Sequence, residues 1–265
     1  MKKIGFIGVG NMGGALACNA LTYTKDILIS SRTLEKAQDF AAAYGGSPVS
    51  NRALAERADI IFLGVKPQKM RGLFEEIAPV LQQRQDRFVL VSMAAGLTTG
   101  QIEQMAGCAC AVLRIMPNTP CRFGKGTVPY CANGHATKED CAELEQILAA
   151  AGLVFPLEEG LMDVAGSVSG CGPAFAYLFI EALADGGVAC GLPRSTAMTL
   201  AAQMLSGAAE TVLKSGKHPG QLKDEVCSPG GSTIAGVCAL EKGGFRSAAQ
   251  EAVCAAYQRN KELGK

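Results

Sequence analysis

A short loop near the C-terminal end of the chain has the residue types of an anion-binding site. Residues 228–233 read Ser-Pro-Gly-Gly-Ser-Thr, and a helical pattern follows them. The two glycines allow a sharp turn that points successive backbone N–H groups one way, and a helix beginning there adds its own unpaired N–H groups. The loop therefore predicts a cradle for a carboxylate or phosphate; a loop that only caps the helix is the alternative. The residues of this candidate site are Ser228, Gly230, Gly231, Ser232 and Thr233.

A glycine-rich turn at the start of the chain matches the dinucleotide-binding fingerprint. Residues 8–13 read Gly-Val-Gly-Asn-Met-Gly, at the end of a buried-strand pattern that begins at Lys2 and directly before a helical pattern from Gly14 to Leu21. In this fingerprint the first glycine makes the turn, the second admits the pyrophosphate, and the third allows the helix to pack closely on the strand. The match predicts a nucleotide-binding Rossmann unit.

The end of the second predicted strand indicates which dinucleotide binds. The strand 27–31 continues into Arg32 and Thr33, and residues 30–33 contain no Asp or Glu to hold the ribose 2′-hydroxyl of NAD(H). Hydroxyl groups and a guanidinium suit a 2′-phosphate, because a guanidinium pairs with phosphate oxygens in a forked geometry. We therefore expect NADPH, with NADH as the alternative cofactor; an ordinary solvated helix start is the other interpretation of these residues.

The elements that must position these residues follow from alternation along the chain. Strand patterns alternate with helical patterns as far as Phe155; the predicted helices include one that ends at Leu81 and one from Lys138 to Ala151. This alternation predicts an α/β fold with a doubly wound, mainly parallel sheet of the Rossmann type. Ligands of such sheets bind beyond the carboxyl ends of the strands, so Val65–Pro67, Met93–Ala95 and Met116–Asn118 are expected at the rim of the site.

The pattern changes after the predicted Rossmann part. Two long helices are predicted, Pro173–Val188 and Pro193–Leu213, and few charged residues lie in this region. Helices that are apolar on most faces need partners on most faces, and a segment of about 100 residues cannot bury them alone. We therefore predict an NADP(H)-binding domain over residues 1–158 and an all-helical domain over residues 159–265 that packs against a second subunit. Burial of the helices under the Rossmann domain is the alternative.

Composition argues against several other classes of protein. The 265 residues carry 25 Lys and Arg against 24 Asp and Glu, so no partner such as nucleic acid or an anionic membrane surface is expected. The first residues enter a strand pattern without a signal or transit segment, and the uncharged run Val164–Ile180 is broken by Gly and Pro and is too short to span a bilayer. The eleven cysteines form no Cys-x-x-Cys pair, and neither histidine has a cysteine at zinc-ligand spacing. We therefore expect a cytoplasmic protein with free thiols and no metal site.

Across almost its whole length the sequence resembles the pyrroline-5-carboxylate reductase family. The most specific stretch is residues 218–233, which covers the family's signature loop. The other matching stretches are Gly5–Gly13, Val65–Pro67, Ala94–Gly96, Arg114–Pro120, Ser169–Ala174, Ala184–Val188 and Gly191–Pro193. The resemblance implies reduction of the cyclic imine 1-pyrroline-5-carboxylate to L-proline, the final step of proline biosynthesis. It also implies a homodimer with the active site at the subunit interface; in the family such dimers often assemble into larger rings.

The same resemblance implies roles for individual residues. Residues 228–233 correspond to the substrate loop, and Thr233 corresponds to the threonine that hydrogen-bonds the imine nitrogen. Two positions depart from the family pattern, because Glu225 stands where amides are common and Ser232 replaces a frequent Ala or Thr. The implied cofactor-contacting residues are Gly8, Gly10, Asn11, Met12, Gly13, Ser31, Arg32, Thr33, Asn51, Gly64, Val65, Lys66, Pro67, Met93, Ala94, Ala95 and Asn118.

Two other functional interpretations remain open from the sequence. β-Hydroxyacid dehydrogenases share the N-terminal fingerprint and a helical second domain, but they carry a catalytic Lys on the helix after a glycine-rich turn; here residues 166–176 and the helix after them contain no Lys. A non-catalytic NADP(H)-sensing scaffold protein is the second alternative, although a sensor needs no second anion cradle. Imine reduction requires no catalytic His or Lys, because the protonated imine is already an electrophile and the cofactor carries the hydride. His218 is accordingly predicted to begin a helix.

Overall fold

The computed structural model describes residues 2–263, and their strands form one sheet. The strands are β1 (Ile4–Ile7), β2 (Ile27–Ser30), β3 (Ser47–Pro48), β4 (Ile60–Leu63), β5 (Val89–Ser92), β6 (Ala111–Ile115), β7 (Gly126–Ala132) and β8 (Gly152–Pro156). Within the described residues their order is β3-β2-β1-β4-β5-β6-β7-β8, and neighbouring strands are parallel except for β6 and β7. Every residue of β1, β2, β4 and β5 is buried, as expected for parallel strands covered on both faces.

Helices cover both faces of this sheet. They are α1 (Asn11–Tyr23), α2 (Leu34–Tyr44), α3 (Asn51–Arg57), α4 (Pro67–Leu81), α5 (Thr99–Ala106), α6 (Lys138–Leu148) and the short α7 (Met162–Ala165). Apolar side chains of α1, α2 and α6 form a core against one face. Those of α3, α4 and α5 form a second core, because alternate residues of each strand point to opposite faces. The carboxyl edge of the sheet is left for ligands.

Two predicted helices have different bounds in the structure. The helix after the fingerprint begins at Asn11 rather than at Gly14, so the fingerprint itself supplies the first turn. The helix predicted to run from Lys138 to Ala151 ends at Leu148 and continues as a 3-10 turn, because the chain bends at Gly152, whose φ is +132°. Residues with a side chain rarely adopt that conformation.

The described residues divide into two compact units. One comprises residues 2–171 together with 256–263, and the other comprises residues 172–255. The division of the chain into two domains between residues 158 and 159 stays a prediction. The compact unit that contains the sheet extends beyond this point, to Cys171. The reason is that polar contacts attach residues 159–170 to the sheet unit: the carboxylate of Glu159 accepts hydrogen bonds from the backbone N–H and the hydroxyl of Thr99, at 2.6 and 3.0 Å.

The second unit is helical and leaves most of its apolar side chains uncovered. Its helices are α8 (Gly172–Ala189), α9 (Arg194–Ser215), α10 (Pro219–Glu225), α11 (Ser232–Lys242) and α12 (Phe245–Leu263), the last of which ends in the first unit. In residues 172–255 the buried apolar side chains are those of Ala184, Ala197 and Ala201. Large apolar side chains such as Leu178 and Leu213 are 68% and 79% exposed. The fold class predicted from the sequence, a Rossmann-type sheet followed by a helical region, is confirmed.

One helical stretch has the length and composition of a membrane span. Residues Glu159–Ala189 have a mean hydropathy of 1.3 in their most apolar window, and 11% of that window is buried. The same stretch contains Glu159, Asp163, Glu181 and Asp185. Core and interface helices of soluble proteins share this composition, and the stretch forms an apolar surface on the chain.

Candidate functional site

The fingerprint turn has the geometry that its glycines predict. Gly8 has a φ of +95°, and a Cβ built on it would lie 2.5 Å from the carbonyl oxygen of Gly64. A Cβ on Gly13 would lie 2.0 Å from the carbonyl oxygen of Gly8, so α1 can approach β1 only because this residue is glycine. By contrast, a Cβ on Gly10 would have no neighbouring heavy atom of the described residues within 4 Å. The turn therefore leaves open space at the N-terminus of α1, where a pyrophosphate fits.

The sheet brings the other predicted cofactor residues to the same edge. Ser31–Thr33 follow β2, Gly64–Pro67 follow β4 and Met93–Ala95 follow β5, and these strands are parallel neighbours around β1. The backbone N–H of Gly64 donates to the carbonyl of Ile7 at 2.7 Å, which ties the end of β4 to the fingerprint turn. Parallel strands end at one edge of a sheet, so segments distant in sequence are adjacent there.

The candidate 2′-phosphate residues lie at the start of α2. Arg32 and Thr33 are exposed, and Thr33 is the N-cap residue of α2 without a side-chain hydrogen bond to the helix. Its hydroxyl and the guanidinium of Arg32 are therefore placed where an anion would meet the N-terminal end of the helix. This arrangement suits a phosphate, and the contact itself stays a prediction.

The structure gives Asn118 a role within the fold. This residue is buried, and its side-chain amide donates to the carbonyl of Ser169 at 2.9 Å. Its amide oxygen accepts from the backbone N–H of Thr127, also at 2.9 Å. The side chain thereby joins the segment after β6 to β7 and to the turn of residues 166–170, and its predicted contact with the cofactor stays a prediction.

A partly buried ion pair near the carboxyl end of β6 was missed by sequence reasoning. Arg114 on β6 is 3% exposed in its side chain and pairs with Asp163 of α7 at 2.5 Å. Its Nε has no hydrogen-bond partner among the described residues. Burial raises the pKa of the neighbouring Cys131 thiol to about 12, and the carboxylate of Glu159 adds to this. Arg114 belongs to a motif that the sequence analysis quoted, but its partner lies 49 residues away and no local pattern identifies it.

A cavity of about 620 Å³ opens beside the fingerprint helix. It is lined by Gly10, Asn11 and Met12 of the fingerprint, by Phe40 of α2 and by Arg122, among others. Its lining is mostly apolar with a few polar groups, which is typical of small-molecule sites. The exposed face of the fingerprint is thus reachable by a ligand.

The loop of residues 228–233 lies in the helical unit and presents open backbone donors. Gly230 has a φ of +69°, and the N–H of Gly231 donates to the carbonyl of Ser228 at 3.0 Å. Gly231 is the N-cap residue of α11, and the helix begins at Ser232, two residues earlier than the pattern indicated. The first N–H groups of a helix have no intrahelical partner, so those of Ser232, Thr233 and Ile234 are free to bind an anion, whereas the N–H of Ala235 donates to the carbonyl of Gly231 at 3.3 Å. Thr233 is an exposed residue of the first turn, and it is not the N-cap residue because Gly231 occupies that position.

The segment before this loop is fixed by two local contacts. His218 is the N-cap residue of α10, and its Nδ1 accepts from the N–H of Gly220 at 3.1 Å, so its predicted role as a helix-start residue is confirmed. Glu225, where the family often has an amide, pairs with Lys217 at 2.8 Å. In the part of the chain that the structure describes, no three His, Cys, Asp or Glu side chains are gathered as metal ligands.

Comparison with known proteins identifies the family. The chain is 40% identical to the pyrroline-5-carboxylate reductase of Glycine max over 98% of this chain and 95% of that one. The chain belongs to the pyrroline-5-carboxylate reductase family. A family model described as pyrroline-5-carboxylate reductase dimerisation matches residues 159–263, and one described as NADP oxidoreductase, coenzyme F420-dependent, matches residues 3–96.

Solved structures of pyrroline-5-carboxylate reductases have the same fold. The enzyme of Coxiella burnetii superposes with a TM-score of 0.90 at 33% identity, covering 100% of this chain and 99% of that one. The pyrroline carboxylate reductase of Plasmodium falciparum, solved with NADP bound, superposes with a TM-score of 0.86 at 35% identity, covering 100% and 98%. The predicted family is therefore confirmed, whereas the individual site residues stay predictions.

Proposed function

We propose that this protein reduces 1-pyrroline-5-carboxylate to L-proline with NADPH as the hydride donor. The observation that carries the proposal is that this chain, a member of the family, has two separate anion-binding sites. One is the open fingerprint turn at Gly10, and the other is the free N-terminus of α11 at Ser232. A dinucleotide needs the first, and a substrate with its own carboxylate needs the second.

The preference for NADPH is supported by residues 31–33. Arg32 offers a forked, permanently charged donor, and the hydroxyls of the half-buried Ser31 and the exposed Thr33 can add hydrogen bonds to a 2′-phosphate. The relative from Plasmodium falciparum was solved with NADP bound. NADH is the alternative cofactor and is expected to bind more weakly, because it lacks the group that Arg32 recognises.

The chain's own part in the reaction is to bind and orient the substrate. When bound, NADPH supplies the hydride for the imine carbon. The free N–H groups in the first turn of α11, which begins at Ser232, hold the substrate carboxylate. The hydroxyl of Thr233 reaches the ring nitrogen, which gains basicity as the imine becomes an amine, and this contact strengthens toward the transition state. Neither His135 nor His218 is required, because positioning and electrostatics suffice for an activated imine.

We also propose that the active protein is a homodimer, which can assemble further into a ring of dimers. Support comes from the uncovered apolar side chains of α8 and α9 and from the dimerisation model that matches residues 159–263. A second copy of the chain, rather than lipid, is the proposed cover for this surface. The net charge of +1 speaks against nucleic-acid partners, and the free cysteines support a cytoplasmic location.

Cofactor oxidation in the presence of different substrates tests the proposal against its rivals. We expect NADPH oxidation on adding the cyclic imine and none on adding a β-ketoacid, whose reduction would indicate a β-hydroxyacid dehydrogenase. Binding of NADPH without turnover of either substrate would favour the sensing scaffold protein and refute the proposed reaction. The absence of a Lys in residues 166–176 supports the expected outcome.

A further inference from the structure

A chain of three hydrogen-bonded side chains lies at the end of β2. Ser30 Oγ donates to Asn51 Oδ1 at 2.6 Å, and Asn51 Nδ2 donates to Glu76 Oε2 at 2.7 Å. The three residues come from the end of β2, the first position of α3 and the middle of α4. Ser30 is buried, Asn51 is half-buried and Glu76 is exposed, so the hydrogen bonds run from the core to the surface beside residues 31–33.

Glu76 decides which way the amide of Asn51 points. A serine hydroxyl can either donate or accept, so Ser30 alone would permit both orientations of the amide. An ionised carboxylate can only accept, so the amide nitrogen must face Glu76 and the amide oxygen must face Ser30. One N–H and one lone pair of Asn51 are then left over, in a fixed direction, for a ligand at this edge of the sheet.

Glu76 also brings a negative charge to a site that lacks one in the local sequence. In sites for NAD(H), an acidic residue near the end of the second strand holds the ribose 2′-hydroxyl. Residues 30–33 contain no such acid, but Glu76 reaches the same strand end from another helix, through Asn51. Its charge is opposite to that of Arg32, so Arg32 attracts a 2′-phosphate and Glu76 repels it.

We infer that Glu76 is a positioning residue that sets the preference between NADPH and NADH. Its hydrogen bond orients Asn51 toward the cofactor's adenosine ribose, and its charge disfavours the 2′-phosphate. The inference rests on the proposed use of these cofactors, but its test depends on their binding and not on turnover of the imine.

The dissociation constants of NADPH and NADH, measured with the intact protein for Glu76→Gln and Glu76→Ala, test this inference. The Gln variant keeps an acceptor for Asn51 and removes the charge, so NADPH should bind about two- to fivefold more tightly, as expected for partly screened charges, and NADH should bind as before. The Ala variant also frees the Asn51 amide and should bind both cofactors more weakly than the Gln variant does. Glu75→Gln is the matched control, because Glu75 is the preceding exposed carboxylate of the same helix.

An unchanged NADPH-to-NADH ratio in Glu76→Gln would overturn the inference, as would an equal change in Glu75→Gln. If Glu76 only stabilises the fold, its substitution should lower the melting temperature without changing the ratio of the two dissociation constants. If the wild-type protein binds both cofactors but does not reduce the imine, the proposed reaction fails while the comparison of binding constants still decides the role of Glu76.

Discussion

Replacing Thr233 by alanine tests the role of its hydroxyl in catalysis. The structure separates this role from a helix cap, because the N-cap residue of α11 is Gly231 and Thr233 is an exposed residue of the first turn. If the hydroxyl assists the ring nitrogen in the transition state, Thr233→Ala should lower kcat by about tenfold to a hundredfold. This corresponds to roughly 1.4–2.8 kcal/mol of transition-state stabilisation. NADPH binding should be unchanged.

The same substitution should leave the stability of the protein unchanged or slightly higher. Alanine has a higher helix propensity than threonine, by at most about 0.7 kcal/mol, and the N-cap position of α11 is occupied by Gly231 and not by Thr233. Loss of a side-chain cap would instead cost about 1 kcal/mol and lower the melting temperature. A melting curve recorded beside the steady-state kinetics therefore distinguishes the two roles.

Two further variants of Thr233 serve as controls. Thr233→Ser keeps the hydroxyl and should retain much of the activity, whereas Thr233→Val keeps the branched shape without the hydroxyl and should be as slow as the alanine variant. If the valine variant retains the wild-type kcat, the hydroxyl does not act in the reaction, and positioning by the backbone N–H groups of α11 must account for catalysis.

Three other predictions concern the cofactor, the assembly and the stability of the sheet unit. Arg32→Ala should raise the KM for NADPH about tenfold or more, because a charged hydrogen bond contributes roughly 1.5–3 kcal/mol; an equal rise for NADH would show that Arg32 does not recognise the phosphate. Wild-type protein should sediment as a dimer or larger species at micromolar concentration, and Leu178→Asp should yield an inactive monomer; a stable, fully active wild-type monomer would exclude the proposed dimer. Burial alone would raise the pKa of Asp140, but hydrogen bonds from Thr137 and Arg87 outweigh it and lower the pKa below the ordinary value of 3.8. Asp140→Asn should therefore lower the free energy of unfolding by about 2 kcal/mol at neutral pH. Denaturant titrations should show this difference vanishing as the pH falls below about 4, through the depressed pKa of Asp140. If the difference persists in acid, it comes from packing and not from the charge of Asp140.

The parts of the fold that depend on local sequence could be predicted. The fingerprint was recognised because strand, glycine turn and helix are consecutive, and α4 ends at Leu81 as its pattern indicated. The sequence pattern predicts the start of α11 two residues after Ser232, where the helix begins, because Ser and Thr in a glycine-rich loop are typical turn residues.

The contacts that join distant elements could not be predicted. Glu76 meets Asn51 across 25 residues of sequence, and Arg114 meets Asp163 across 49. Asn118 has the sequence position of a rim residue, yet its amide is hydrogen-bonded within the fold. Each of these outcomes depends on which helices pack side by side, and periodicity within one segment contains no information about its neighbours.

Isotope transfer gives the most direct test of the proposed function. The protein is incubated with NADPH deuterated at C4 of the nicotinamide and with 1-pyrroline-5-carboxylate, and the product is examined by mass spectrometry and NMR. We predict L-proline with one deuterium on the ring carbon that adjoins the nitrogen and does not bear the carboxylate, in step with cofactor oxidation. Proline without deuterium, or cofactor oxidation without proline, would contradict direct hydride transfer to the imine by this protein.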